Sequence, residues 1–123
     1  GGWGLAKSAE LNGVPGPAHL LELRNEIPLQ EHQISVITDL YNQMKSEAVE
    51  QGEILIALEK QLERHFRERT MDDKILRRLL DGIADARQKL RYIHLATHLK
   101  TPLILTQAQI DKYKVLRGYS QQN

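Results

Sequence analysis

The sequence contains no cysteine, which excludes disulfide bonds, thiolate zinc sites and cysteine nucleophiles. It also has no large excess of either charge: 17 lysines and arginines are nearly balanced by 16 aspartates and glutamates, which leaves a net charge of +1. A general nucleic-acid binder usually has a marked basic excess, so the composition disfavours this class. No apolar run approaches the roughly 18 residues of a membrane-spanning helix. With 123 residues, 41% of them hydrophobic, the chain is expected to form one soluble domain.

Aromatic residues are scarce, with one Trp, one Phe and four Tyr, so a core of leucine and isoleucine is expected. Apolar residues recur every three or four positions from about Gln30 to Glu68, which predicts a long amphipathic helix with Gly52 as its weak point. A second long helix is predicted after Thr70, a candidate N-cap, and ends where Pro102 removes a backbone donor.

Shorter helices flank this pair. Gly13 and Pro15 end a first short helix, and Pro17 is well placed at the start of a second. A last short helix is predicted from Thr106 to Gly118, and no convincing strand pattern occurs. We therefore predict an all-α domain over 1–123: short helices over 1–28, a long antiparallel hairpin over 29–100 and a short helix over 101–119. This is a hooked four-helix arrangement, with the short helices at the open end. A thin hairpin buries little surface, so a homodimer is expected.

The sequence Leu105-Thr106-Gln107-Ala108-Gln109 has the form of a helix-capping box. The Thr106 hydroxyl accepts from the backbone N–H of Gln109, whose side chain reaches back to the N-cap. Leu105 is placed to pack on Ile110. On physical grounds alone, the pentad is explained as the N-terminal cap of a helix.

The same pentad resembles the LTxxQ motif of the Spy/CpxP-like periplasmic proteins, a group that includes metal-responsive relatives. The segment from Leu29 to Gln33 resembles a first copy, with Gln30 in place of the family's threonine, so this copy should cap less well. The N-terminal GLAKSAELNGVPGPAHLLEL and the ending YKVLRGY are similar to an uncharacterised branch of the group. The resemblance implies a periplasmic protein, either soluble or anchored by a segment that precedes Gly1.

The resemblance also implies a function. Spy-like proteins are non-enzymatic stress proteins that hold unfolded clients without ATP, on the concave surface of a dimer. Two alternatives are open: a heavy-metal (Zn, Ni, Co or Cu) sensor or resistance protein, and an adaptor for a membrane-bound kinase or regulator.

A metal hypothesis depends on His94 and His98, which share one helical face. If the hairpin turns near Thr70, these histidines lie near Glu47 and Met44 of the first long helix. Imidazole, carboxylate and thioether groups suit a divalent transition metal. The plainer interpretation, which short motifs of this kind favour, is that both histidines are half-buried polar residues that bond to the backbone or to acids.

In the metal-sensing relatives, a histidine and a methionine four residues later stand on the second long helix, and His94 and His98 occupy those places. His19 resembles one of the relatives' two N-terminal ligand histidines, but Leu23 stands where the other would be. The relatives' ligand glutamate aligns closer to Tyr41, so Glu47 is a substitute.

Basic residues gather at the predicted hairpin tip, among them Arg64, Arg67 and Arg78, with acids interleaved. They form either a solvated, salt-bridged tip or, by analogy with Spy, part of a surface that attracts clients or partners.

Nucleotide and enzyme functions are disfavoured. GGWGLAKS ends like a phosphate-binding loop, but Ala6 replaces the glycine before Lys7 and no strand precedes it. No local acid–base or nucleophile–base arrangement appears.

Overall fold

The computed structural model describes residues 4–118, so Trp3 and Tyr119 lie outside the described residues. Its elements are α1 (Lys7–Leu11), α2 (Pro17–Glu22), α3 (Glu31–Arg67), α4 (Asp73–Lys100), a 3₁₀ turn (Thr101–Leu103) and α5 (Gln107–Arg117). Within residues 4–118 there is no strand, which confirms the all-α prediction. No helix in this range combines the length and the apolarity needed to cross a membrane.

Helices α3 and α4 pack against each other as the predicted hairpin. The 37 residues of α3 continue through Gly52 without a break, giving a helix about 55 Å long. The prediction of Thr70 as the cap of α4 is wrong. Asp72 is the N-cap, and its carboxylate accepts from the backbone N–H of Ile75 at 2.7 Å. The Thr70 hydroxyl instead lies 2.8 Å from Nδ1 of His65 and belongs to the turn.

The end of α4 follows the prediction from Pro102, which lies in the 3₁₀ turn that ends the long helix. Thr101, fully buried, donates its hydroxyl hydrogen to the carbonyl of Pro15 at 2.5 Å. This bond ties the segment between α1 and α2 to the C-terminal end of α4.

The two LTxxQ-like segments meet through their glutamine side chains. Nε2 of Gln33 donates to Oε1 of Gln109 at 2.8 Å, and Nε2 of Gln109 donates to Oε1 of Gln33 at 2.8 Å. Each Oε1 also accepts from the backbone N–H at its own helix start, Gln30 for Gln33 at 3.0 Å and Thr106 for Gln109 at 2.9 Å. The predicted capping box at Thr106 is thus confirmed, and its glutamine also joins α5 to α3.

The remaining amide hydrogens of this pair bind carbonyls of the opposite segment. Gln33 donates to Ile104 at 3.0 Å, and Gln109 donates to Pro28 at 3.4 Å. Gln33 is buried, so each polar atom of its amide would be costly if left unpaired. The two helix starts are therefore fixed to each other in both directions.

The main hydrophobic core lies beside this amide pair at the open end of the hairpin. It brings together side chains from α2, α3 and α5 and from the loops between helices, namely Leu20, Ile27, Ile37, Leu105 and Tyr113, with Leu29 and Ile110 packed against them. Leu105 and Ile110 join the same core, as the capping pattern predicted.

The shaft of the hairpin is thin by comparison. Its buried apolar residues are few, among them Met44, Leu79, Ile83 and Ala86, and Gly82 allows Leu58 to approach closely. The expectation that such a shaft needs a partner rests on this small buried surface. The homodimer and the hooked arrangement stay predictions.

Replacing Gln109 with alanine should lower the free energy of unfolding by about 1–3 kcal/mol, because it leaves the buried amide of Gln33 without its partner. Gln33→Ala should have a similar effect, and the double variant should lose less than the sum. Urea denaturation would measure all three. Gln107→Ala is the control, since its side chain is exposed and donates a hydrogen bond within α5, to Asp111. Strictly additive losses would contradict a coupled pair.

Candidate functional site

A groove of about 1000 Å³ runs along one face of the hairpin. One side is formed by α3 and the other by α4, and the segment of α1 and α2 covers the end near the hairpin's opening. Its apolar wall is formed by Met44, Ala48, Val49, Ile56 and Leu90. Such a mostly apolar concavity with a few polar groups is the usual form of a binding site.

Two residues of the apolar wall, Val49 and Ile56, are not buried in the hairpin core. Val49 and Ile56 lie seven residues apart, on a face of α3 next to the one that packs on α4. Their exposed fractions are 52% and 57%, large for such side chains. Gly52 stands between them, and nothing lies within 4 Å of the position that a Cβ would take. The wall is therefore open to solvent.

The polar end of the groove contains Glu10, His19, His94, His98 and Arg117. Oε1 of Glu10 lies 3.3 Å from Nε2 of His19 and 3.5 Å from Nε2 of His98. Its other carboxylate oxygen lies 4.0 Å from a guanidinium nitrogen of Arg117. One carboxylate thus links α1 to α2, α4 and α5.

The ring of His98 is held in a defined orientation. Its Nδ1 lies 2.8 Å from the carbonyl of His94, and since a carbonyl only accepts, Nδ1 must carry the proton. Gly16 packs against the opposite edge of the ring: a Cβ there would lie 2.6 Å from Nε2. Both Nε2 of His98 and Nε2 of His94 are buried without a hydrogen-bond partner.

Burial lowers the pKa of His94 below its ordinary value of 6.5, and repulsion from His98, when that ring is protonated, lowers it further. A neutral imidazole at this position is consistent with its place beside the apolar wall.

Three of the four predicted metal ligands, His19, His94 and His98, come together at the polar end. Glu47 does not join them: it is exposed, is absent from the groove lining and accepts a 3.3 Å bond from Gln43. Among residues 4–118, no group of three or more His, Asp or Glu side chains is arranged to hold a metal ion. The structure thus brings together three of the four candidate ligands without Glu47, and the metal hypothesis stays a prediction.

Sequence reasoning missed Glu10, Gly16 and the exposed wall residues Val49 and Ile56. The wall carried a usable signal, since Val49 and Ile56 are apolar residues at heptad spacing that lie outside the main apolar stripe of α3. Glu10 carried no such signal, because its partners are contributed by three other helices.

At the hairpin tip, Arg64, Arg67 and Arg78 are all exposed. Arg67 pairs with Glu63 one turn earlier, as the salt-bridged interpretation expects. These arginines lie far along the hairpin from the polar end of the groove.

Comparison of the chain with protein-family models, with curated proteins and with solved structures finds no match. The resemblance to Spy/CpxP-like proteins thus rests on the two short motifs and their flanking segments.

Replacing Gly16 with alanine should lower the free energy of unfolding by about 1–3 kcal/mol, because the new methyl group meets the His98 ring. Gly52→Ala is the matched control: it should raise stability by about 0.5–1 kcal/mol, since alanine favours the interior of α3 and meets nothing. Thermal and urea denaturation would measure both. Equal effects of the two substitutions would contradict the packing of Gly16 on His98.

His94 should make the protein less stable in acid. Its pKa is lower in the folded state than the ordinary 6.5, so the unfolded chain binds more protons. The free energy of unfolding should therefore fall as the pH drops through 6.5, and His94→Gln should reduce this slope. His32→Gln, at an exposed position on α3, should keep the wild-type slope. Urea denaturation at several pH values between about 7.5 and about 5, on both sides of the ordinary histidine pKa, would test this.

Proposed function

We propose that this protein is a non-enzymatic, chaperone-like module that binds exposed apolar segments of other proteins in the groove, without ATP. The observation that carries the proposal is the solvent-open apolar wall on the hairpin. The resemblance to Spy/CpxP-like proteins supports it and favours a periplasmic location.

The physical basis of capture would be non-directional. Covering Val49 and Ile56 removes apolar surface from water at about 25 cal/mol per Å², whatever the sequence of the segment that covers them. An open groove of this kind suits weak, reversible holding of varied clients. Recognition of a single specific partner, such as a membrane-bound regulator, would instead require many matched polar contacts.

Charge at the hairpin tip would assist the first encounter. Arg64 and Arg78 are exposed there and add long-range attraction for acidic clients, an effect that raises association rates and fades with salt. A homodimer would extend the apolar surface by adding a second groove, and this oligomeric state belongs to the same proposal.

Replacing Ile56 with aspartate should reduce the protection of an aggregating client several-fold, because it places a charge in the middle of the apolar wall. Light scattering of a chemically denatured client, measured at several protein ratios, would detect the change. Ile54→Asp is the matched control: Ile54 is also exposed, at 44%, on the same helix, but it does not line the groove.

Three results would contradict this proposal: no suppression by the wild type at several-fold excess, equal loss in both isoleucine variants, or no loss in either. Charge reversal at Arg64 and Arg78 should slow capture at low salt and leave the final extent of protection nearly unchanged. Analytical ultracentrifugation of the same samples would give the oligomeric state.

A further inference from the structure

The polar end of the groove has hydrogen-bonding atoms that the described residues leave unpaired. Nε2 of His94 and Nε2 of His98 are both buried and without a partner among residues 4–118. The two side chains belong to residues with exposed fractions of only 8% and 5%, and both residues line the groove. Buried polar atoms without partners are rare and call for a specific explanation.

When the ring of His98 is neutral, the partner that its Nε2 lacks is a hydrogen-bond donor. Because Nδ1 carries the proton toward the carbonyl of His94, Nε2 of the neutral ring is an acceptor. It faces Oε1 of Glu10 at 3.5 Å, which is also an acceptor. Two acceptors at this distance, of which Nε2 of His98 is buried, are satisfied when a neighbouring group donates one hydroxyl or amide hydrogen to each.

The charges near Nε2 of His98 also limit the charge of a ligand group that could bind there. An anionic group at Nε2 of His98 would lie beside the carboxylate of Glu10, and repulsion at about 4 Å is several-fold stronger near a protein surface than in water. A cationic group would compete with His19 and Arg117, which already face that carboxylate. Lys7 and Lys45 also line the groove, but both are exposed, so water screens their charge. An uncharged donor fits best.

The apolar wall continues directly from this polar end. From Met44 to Ile56 it follows α3 for about 18 Å. Ala48 and Val49 lie between these two residues, and Leu90 faces them from α4. A narrow hydrocarbon chain would cover this length, while its polar head lies at His98.

We propose that the groove binds an uncharged single-chain amphiphile with a hydroxyl-bearing head, of the monoacylglycerol type. The hydroxyls donate to Nε2 of His98 and Oε1 of Glu10, and the acyl chain covers the apolar wall. This goes beyond the capture of protein clients, which needs the wall but not the polar end.

Three ligands with the same chain and different heads would test the proposal: monododecanoylglycerol, dodecanoate and dodecylammonium. Each is titrated into the full chain by calorimetry, below its own aggregation concentration. We expect one-to-one binding of the glycerol ester, about tenfold tighter than either charged ligand, the value of one or two hydrogen bonds. Glycerol alone, which lacks the chain, should show no binding.

Two pairs of variants assign the contacts. His98→Phe keeps a planar ring but removes Nε2, so the glycerol head should lose its advantage, while His32→Phe on the exposed face of α3 should not change binding. Ile56→Asp should weaken all three ligands, and Ile54→Asp none. Circular dichroism would verify that each variant is folded.

Several results would overturn the proposal: no binding of the glycerol ester to the wild type, binding only above its aggregation concentration, or equal affinity for all three heads. Equal affinity would mean that water satisfies the two acceptors. An apolar peptide amide that binds while no amphiphile does would assign the groove to polypeptide alone. The titrations and the aggregation assay give independent results, because the protein can protect a client, or fail to protect it, whatever its affinity for the amphiphiles.

Discussion

The reciprocal amide pair of Gln33 and Gln109 is the interaction on which the open end of the molecule depends. Each glutamine completes the start of its own helix and binds the other glutamine at 2.8 Å. Rotating either amide by half a turn would set donor against donor, so the register of α5 against α3 has only one satisfied arrangement. Such a pair specifies geometry more than it adds net stability, because its gain is largely offset by lost bonds to water.

Because the amide pair fixes the short helices at one end, the long hairpin has an enclosed open end and an uncovered shaft. At the open end, side chains from α2, α3 and α5 surround Tyr113 and Leu20, both fully buried. Further toward the tip, two helices alone cannot enclose a core, and apolar residues such as Ile56 stay exposed. The groove is thus a consequence of the hairpin's length: it lies where the short helices no longer cover the shaft.

The sequence predicts this architecture well where the forces are local. Periodicity located α3 and α4, Pro102 located the end of α4, and Thr106 with Gln109 located the start of α5. The prediction of Thr70 as the N-cap of α4 is wrong because threonine and aspartate are both good caps. Only the turn geometry decides that Asp72 accepts from Ile75. The candidate site was predicted in part: His19, His94 and His98 do converge, since two of them follow from hairpin register. Glu10 could not be predicted, because its position depends on how α1 returns to the hairpin through Gly13 and Gly16.

The histidines also show why convergence alone does not define a site's chemistry. Of the three imidazoles that suggest a metal in sequence, those of His19 and His98 face the carboxylate of Glu10 in the structure, and Nδ1 of His98 is already committed to a backbone carbonyl. What distinguishes this end of the groove is the local conflict between two acceptors, beside a wall of hydrocarbon that the fold itself does not cover. Folded chains rarely leave both kinds of surface unmatched in the same place, and such exceptions tend to occur at functional sites. The unpaired acceptors and the open wall are therefore best understood as two halves of one binding surface.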